Sequence, residues 1–195
     1  LEACVVRKGG GKQKGSQFER NVCVQLSLWI SNGTQEDVFW RSALSGGRST
    51  VAAAKGKSLA QQAGDISAVS RVGAPFIETF YVECKFYRDL KFHGLMTGTG
   101  QLATFWDTAK AEAKRYEKLP FLIAKQNQLP VIACLSHSGL ETLKIYQGRC
   151  VLTAPQLGMN ILLFEDFLKY ARFVEKNKEW KDSAHVALGG TRKFR

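Results

Sequence analysis

The chain has 195 residues, with 28 Lys+Arg against 17 Asp+Glu and a formal net charge of +11. Such an excess of cations calls for a polyanion or an anionic membrane surface as partner. No apolar run approaches a membrane span and no signal-peptide pattern opens the chain, so nucleic acid is the better of the two and no membrane partner is expected.

Residues 7 to 14, Arg-Lys-Gly-Gly-Gly-Lys-Gln-Lys, read as the end of a flexible basic arm over 1–14. Its glycines disfavour regular structure and its cations suit phosphates, although a solubilising tail has the same composition. From Ser16 to about Ile30 the apolar residues Phe18, Val22, Leu26 and Ile30 recur every four positions, which predicts an amphipathic helix. Glu19 stands beside that stripe. It has two readings: the reciprocal partner of Ser16 in a capping box, or an acid facing a functional site.

Val38 to Arg41 reads as a strand. Ser45 to Gly64 is rich in Gly, Ser, Ala and cations and holds no acid, and a loop of that length inside one domain is usually functional or disordered. Arg48, Lys55 and Lys57 are its candidate phosphate grips. Strands are predicted over Asp65 to Val69 and Phe76 to Phe86, with a turn at Val72-Gly73-Ala74-Pro75.

Inside the second of these strands lies the triplet Glu83-Cys84-Lys85. Side chains alternate along a strand, so Glu83 and Lys85 share a face and Cys84 points away. The bland reading is the wet face of a half-buried strand. The apolar flanks Phe80, Tyr81, Val82 and Phe86 argue instead for a central strand, where two charges are costly unless they act. Asp65, from the preceding strand, would complete a pocket of hard oxygen ligands able to hold Mg²⁺ beside an ammonium group.

A helix is predicted from about Gln101 to Lys118, with Leu102, Phe105, Trp106, Ala109, Ala113 and Tyr116 on one face. Strands follow at Phe121 to Ala124 and Val131 to Leu135, with Lys125 at the tip of the first, where it reaches a phosphate or caps the turn. Ile161 to Phe164 reads as an added strand and a helix starts at Asp166. From Lys176 the chain is again basic, a tail over 176–195 that leaves a single domain over 15–175. Cys4, Cys23, Cys84, Cys134 and Cys150 are odd in number and include no C-x-x-C pair, and His93, His137 and His185 have no ligand spacing with them. Neither a zinc site nor a disulfide framework is signalled, and a reducing cytoplasm fits. His93 is kept as a minor substrate-contact candidate.

Taken together, Lys14-Gly15-Ser16-Gln17-Phe18-Glu19-Arg20, Phe39-Trp40-Arg41-Ser42 leading into Ser45-Gly46-Gly47, Gly64-Asp65-Ile66 and Glu83-Cys84-Lys85 resemble the PD-(D/E)xK nuclease superfamily. Within it, the likeness is to archaeal-type Holliday junction resolvases and related phage-encoded endonucleases, over roughly residues 12 to 135. Gly64 departs from the proline of the superfamily's name, and the Ser45–Gly64 segment is longer than compact resolvases need. The resemblance implies that Asp65 and Glu83 ligate the metal, that Lys85 assists the attacking water, that Glu19 adds an acid, and that the Ser45 loop touches DNA. It also makes Gln101 a candidate DNA contact, beside the equally open reading of a solvated first-turn residue.

The expectation is an α/β fold, a restriction-endonuclease-like core with a mixed central sheet flanked by helices in the order αβββαβ and a small C-terminal extension. The expected function is a Mg²⁺-dependent DNA endonuclease, with Mn²⁺ able to substitute. It would be selective for Holliday junctions or branched DNA in recombination or phage DNA processing, and would act as a homodimer in the cytoplasm of a prokaryotic host or phage-infected cell. The metal would be held by Asp65, Glu83 and the Cys84 carbonyl, with Glu19 supporting a second ion or its waters. A restriction-like or homing-type sequence-directed endonuclease and a catalytically silent DNA-binding module are the alternatives.

Overall fold

The computed structural model describes residues 10–42 and 63–174. In chain order the helices are α1 (Gly10–Ile30), α2 (Ala74–Thr79), α3 (Gln101–Arg115), α4 (His137–Thr142) and α5 (Phe164–Tyr170). The strands are β1 (Phe39–Arg41), β2 (Ile66–Ala68), β3 (Phe80–Tyr87), β4 (Leu119–Gln126), β5 (Ile132–Leu135), β6 (Leu152–Ala154) and β7 (Met159–Leu163). A five-stranded mixed sheet runs in the order β3-β4-β5-β7-β6, and β1 and β2 form an antiparallel ribbon beside it. β3 and β4 are parallel and joined through α3, while the remaining neighbours are antiparallel. The expected α/β architecture with a mixed, helix-flanked sheet is therefore present.

Alternation along β4 explains how the layers are held. Phe121 and Ile123 enter a core shared with Phe18, Val22 and Leu26 of α1, Phe76 and Ile77 of α2, and Phe164 and Phe167 of α5. Leu122 and Ala124, pointing the other way, enter a second core with Leu102, Trp106 and Ala109 of α3. A strand buried on both faces reads as a continuous apolar run, as Phe121 to Ala124 does. The first core is aromatic. The Phe76 ring lies 5.0–5.7 Å from those of Trp29, Phe39, Phe80 and Phe173, in edge-on or tilted geometries that suit the ring quadrupoles.

Several elements differ from expectation. α1 begins at Gly10, so residues 10–14 continue the helix instead of belonging to a flexible arm, and Gln13 and Lys14 are exposed on it. Phe76–Thr79 is helical, not the start of a strand. Pro75 sits in the first turn, where its fixed φ and missing N–H are tolerated, and an apolar run this short has no periodicity to separate helix from strand. The final helix starts at Phe164, two residues before Asp166. Glu165 and Asp166 then fall in its first turn, where they favour the helix dipole. The short β6 and α4 carry no pattern that the sequence reading could use.

α1 is tied to β1 by a buried contact, the Phe39 N–H donating to Ser27 Oγ at 2.9 Å. Ser27→Ala strands that donor away from water. The expected cost is about 1–3 kcal/mol, read as a lower denaturant midpoint with an unchanged slope.

Candidate active site

β3 presents Tyr81, Glu83, Lys85 and Tyr87 on one face by strand alternation. The other face sends Phe80, Val82 and Cys84 into the core shared with α1. The Glu83 carboxylate is held from two sides: Lys85 Nζ pairs with Oε1, and Tyr81 Oη donates to Oε2 at 3.2 Å. Lys85 also lies over the Phe105 ring of α3, 5.7 Å from its centroid, and Tyr81 stacks parallel to Tyr116 at 6.2 Å. Tyr81 and Phe105 were legible only as apolar residues. The signal available for Tyr81 was its position two residues before Glu83 on the same face.

β3 is an edge of the five-stranded sheet, not a central strand. Its free edge is met by Asp65, whose N–H donates to the Val82 carbonyl at 2.9 Å and whose Oδ2 accepts the Cys84 N–H at 2.9 Å. The Asp65 carbonyl in turn accepts the Ser42 N–H, which ties the ribbon to this edge. In a strand a residue's N–H and C=O point to the same side, so the Cys84 carbonyl also lies along the edge that Asp65 occupies. Gly64 makes the approach possible. Its φ is +97°, and a Cβ there would lie 2.5 Å from the Val82 carbonyl oxygen. Proline, with φ near −65°, cannot adopt that backbone, so glycine, not the proline of the superfamily's name, fits this position.

The electrostatics are those of a site short of positive charge. Asp65 is 9% exposed, and burial followed by the Glu83 carboxylate pushes its pKa up to about 7, with Glu19 adding to the effect and the Cys84 N–H and Lys85 opposing it. Burial pulls the Lys85 ammonium down, yet the charge and hydrogen bond of Glu83 more than offset this and leave its pKa raised. Lys85 is therefore an ammonium donor in this state. Burial likewise drives the Cys23 thiol up to about 12 and the Cys84 thiol well above its ordinary value, so both stay protonated.

Glu19 does not act as a capping residue: Ser16 lies six residues inside α1, so there is no N-cap for it to complete. Its carboxylate pairs instead with Arg41 of β1. Its charge still reaches Asp65, but the pair sits on the α1 side of the ribbon. Gln101 opens α3, one turn before Phe105. Lys125 is not on the Glu83 side: its Nζ lies 5.9 Å from the Phe86 ring centroid, and Phe86 packs against Phe18 of α1. His93 is exposed in the turn Phe92–Thr97. Ser45, Arg48, Lys55 and Lys57 lie outside the described residues.

Among the described residues, no group of three His, Cys, Asp or Glu side chains is gathered as a metal cage. The donors at the β3 edge are two carboxylates and a backbone carbonyl, a hard oxygen set that suits Mg²⁺ or Mn²⁺. The raised pKa of Asp65 marks a charge deficit that a cation would relieve. The residues fit such an ion.

A family model described as "Phage putative PDDEXK endonuclease" matches residues 10–160. The chain belongs to this family. The matched span runs from the start of α1 to β7 and includes Glu19, Asp65, Glu83 and Lys85. A search of curated proteins and a search of solved structures each found no match. Family membership identifies the chain as a PD-(D/E)xK nuclease-type protein, and members of this superfamily generally depend on a divalent metal. No helix among the described residues is long and apolar enough to cross a membrane.

Proposed function

We propose that this chain is a Mg²⁺-dependent DNA endonuclease that hydrolyses phosphodiester bonds in branched or junction DNA. The observation that carries the chemistry is the convergence at one strand edge of Asp65, Glu83 and Lys85, with Asp65 buried and facing the Glu83 charge and the lysine held as a cation. Asp65, Glu83 and the Cys84 carbonyl would hold the ion, and Mn²⁺ would substitute for it. A bound divalent ion supplies Lewis-acid polarisation of the phosphate and lowers the pKa of a water.

The chain's own residues do the rest. Lys85, with Glu83 as its anchor, orients the attacking water and offsets the negative charge that grows on the phosphate in the transition state. Tyr81 fixes the second Glu83 oxygen and so limits that carboxylate's rotation. The Cys84 thiol, protonated and turned into the core, leaves only the backbone of that residue for the site. Ser45, Arg48, Lys55 and Lys57 would contact the DNA backbone, and Gln101 would extend that contact, while Lys125 stays on the other face. The free thiols of the described cysteines fit the reducing cytoplasm of a prokaryotic host or phage-infected cell.

A gel comparing four-way junction, flap, single-stranded and linear duplex DNA, each with Mg²⁺ and with EDTA, tests the reading. Paired cuts across a junction, made by a homodimer, are expected. Cutting of linear duplex at one defined sequence would favour the restriction-like alternative, and no cutting of any DNA would leave a silent binding module.

What supports a role for Glu19 is that its charge acts on Asp65. Glu19→Gln is expected to lower cleavage roughly tenfold or more, which is about 1.4 kcal/mol of barrier. The melting temperature should move little, because a partly exposed ion pair contributes at most about 1 kcal/mol. Arg41→Gln breaks the same pair but keeps the acid. Equal, small stability losses in both variants with parental cleavage would make Glu19 an anchor for Arg41 alone.

A further inference from the structure

Trp40 is 61% exposed in the middle of β1, between Phe39, which is buried, and Arg41, which pairs with Glu19. Tryptophan is highly buried on average, and the other tryptophans among the described residues are engaged. Trp106 is fully buried, and Trp29 packs on Phe76 and Phe167 while donating to the Ala171 carbonyl.

Its direction follows from alternation. Phe39 points into the core shared with α1, so Trp40 points to the opposite face of the ribbon. β3 divides in the same way: Val82 and Cys84 enter that core, and Glu83 and Lys85 point away from it. The ribbon abuts the edge of β3 through Asp65. Trp40 therefore points away from the core that Phe39, Val82 and Cys84 share, as Glu83 and Lys85 do. Its strand ends one residue later at Arg41, whose cross-strand partner, Ile66, adjoins Asp65.

A second open aromatic lies on β3. Tyr87 follows Lys85 by two residues, is 45% exposed, and is steadied edge-on against Phe105 at 5.4 Å. Trp40 and Tyr87 are thus two exposed π-surfaces on the ribbon and the strand that carry Asp65, Glu83 and Lys85. In a chain of net charge +11, aromatic faces set beside cations are the usual means of holding bases whose partners have been removed. A fully paired duplex has no base face to offer them.

We propose that Trp40 is a stacking platform for an unpaired base next to the phosphate that is cut, so that the substrate class is DNA with locally unpaired nucleotides. The occupant is a nucleobase, and the inference rests on the DNA-endonuclease reading above. It assigns Trp40 to substrate binding and not to the chemical step.

The test uses the full-length protein in EDTA, where binding is read without cleavage, and three probes: a single-stranded oligonucleotide carrying one 2-aminopurine, the same probe in a complete duplex, and a four-way junction. The parent is expected to bind the single strand and quench its fluorescence. Trp40→Ala and Trp40→Leu should weaken that binding roughly fivefold or more, the range for losing one stacked base, and abolish most of the quenching. Trp40→Phe should keep most of both, and duplex binding should change little in all three. Because Trp40 is exposed, unchanged melting temperatures are expected and confirm that each variant is folded. Leucine matching the parent would overturn stacking in favour of a plain apolar contact with the DNA. Parental affinity and quenching in Trp40→Ala would overturn the platform while leaving the nuclease reading intact. A parent that binds a four-way junction but not the single strand would also overturn the platform, and one that binds none of the three DNAs would remove the DNA-endonuclease reading itself.

Discussion

Asp65→Asn and Lys85→Ala are each expected to lower cleavage by roughly a hundredfold or more, the usual scale for removing one electrostatic contributor to a transition state, with DNA affinity close to the parent's. The first change removes a ligand charge while leaving an oxygen to accept the Cys84 N–H. The second removes the ammonium that pairs with Glu83. Neither touches the basic surface that supplies most of the affinity for a polyanion. If Asp65 and Lys85 served only to hold the strands together, both variants would lose stability and neither would lose cleavage selectively. Melts and cleavage assays on the same preparations separate these outcomes. A variant retaining activity within about tenfold of the parent, or about 1.4 kcal/mol of barrier, removes this strand edge as the catalytic centre.

Without metal, Asp65→Asn should be more stable than the parent at pH 8, and the advantage should vanish near pH 4. Burial and Glu83 raise the Asp65 pKa from 3.8 to about 7, so between those values the folded chain binds a proton that the unfolded chain has released. Stability then falls as pH rises through this window, and the full penalty stands above about pH 7. At about 1.4 kcal/mol per unit, the shift corresponds to an upper limit of about 4 kcal/mol. Asparagine has no proton to lose and escapes the penalty. Added Mg²⁺ should reverse the order, because an ion bound to the folded parent stabilises it by mass action and the variant has lost a charged ligand. Thermal melts at pH 4, 6 and 8, with and without Mg²⁺, check both signs. A parent-to-variant difference independent of pH would mean that Asp65 is not ionising in a crowded carboxylate site.

The pH behaviour and the loss of cleavage share a cause in one short segment. Gly64 allows the backbone to reach the edge of β3, and the approach buries Asp65 against Val82 and Cys84. An alanine there would meet the Val82 carbonyl at 2.5 Å while also holding a positive φ. The strain that a side chain would bring is therefore located where the chemistry is placed.

The sequence by itself determined the parts that depend on local periodicity. The four-residue repeat from Phe18 to Ile30 specifies a helix with one buried face, and the alternation in Tyr81-Val82-Glu83-Cys84-Lys85 puts an acid and an amine on one side of a strand. The doubly apolar run Phe121 to Ala124 requires cover on both faces. These patterns are set by the 3.6- and 2-residue repeats of the backbone, which each residue feels through its near neighbours. Phe76 to Thr79, two apolar residues followed by two polar ones, carries neither repeat, so its helical state is not legible locally. Tertiary structure alone decided that β3 is an edge strand completed by Asp65 and that Glu19 answers to Arg41 instead of to Ser16. It also decided that Lys125 stands on the opposite face from Glu83, and that Trp40 is left open on β1. Each of these depends on which surfaces meet across tens of residues of chain, and that is settled by the packing of the aromatic core around Phe76 and of α3 on the other side of the sheet, not by any local preference.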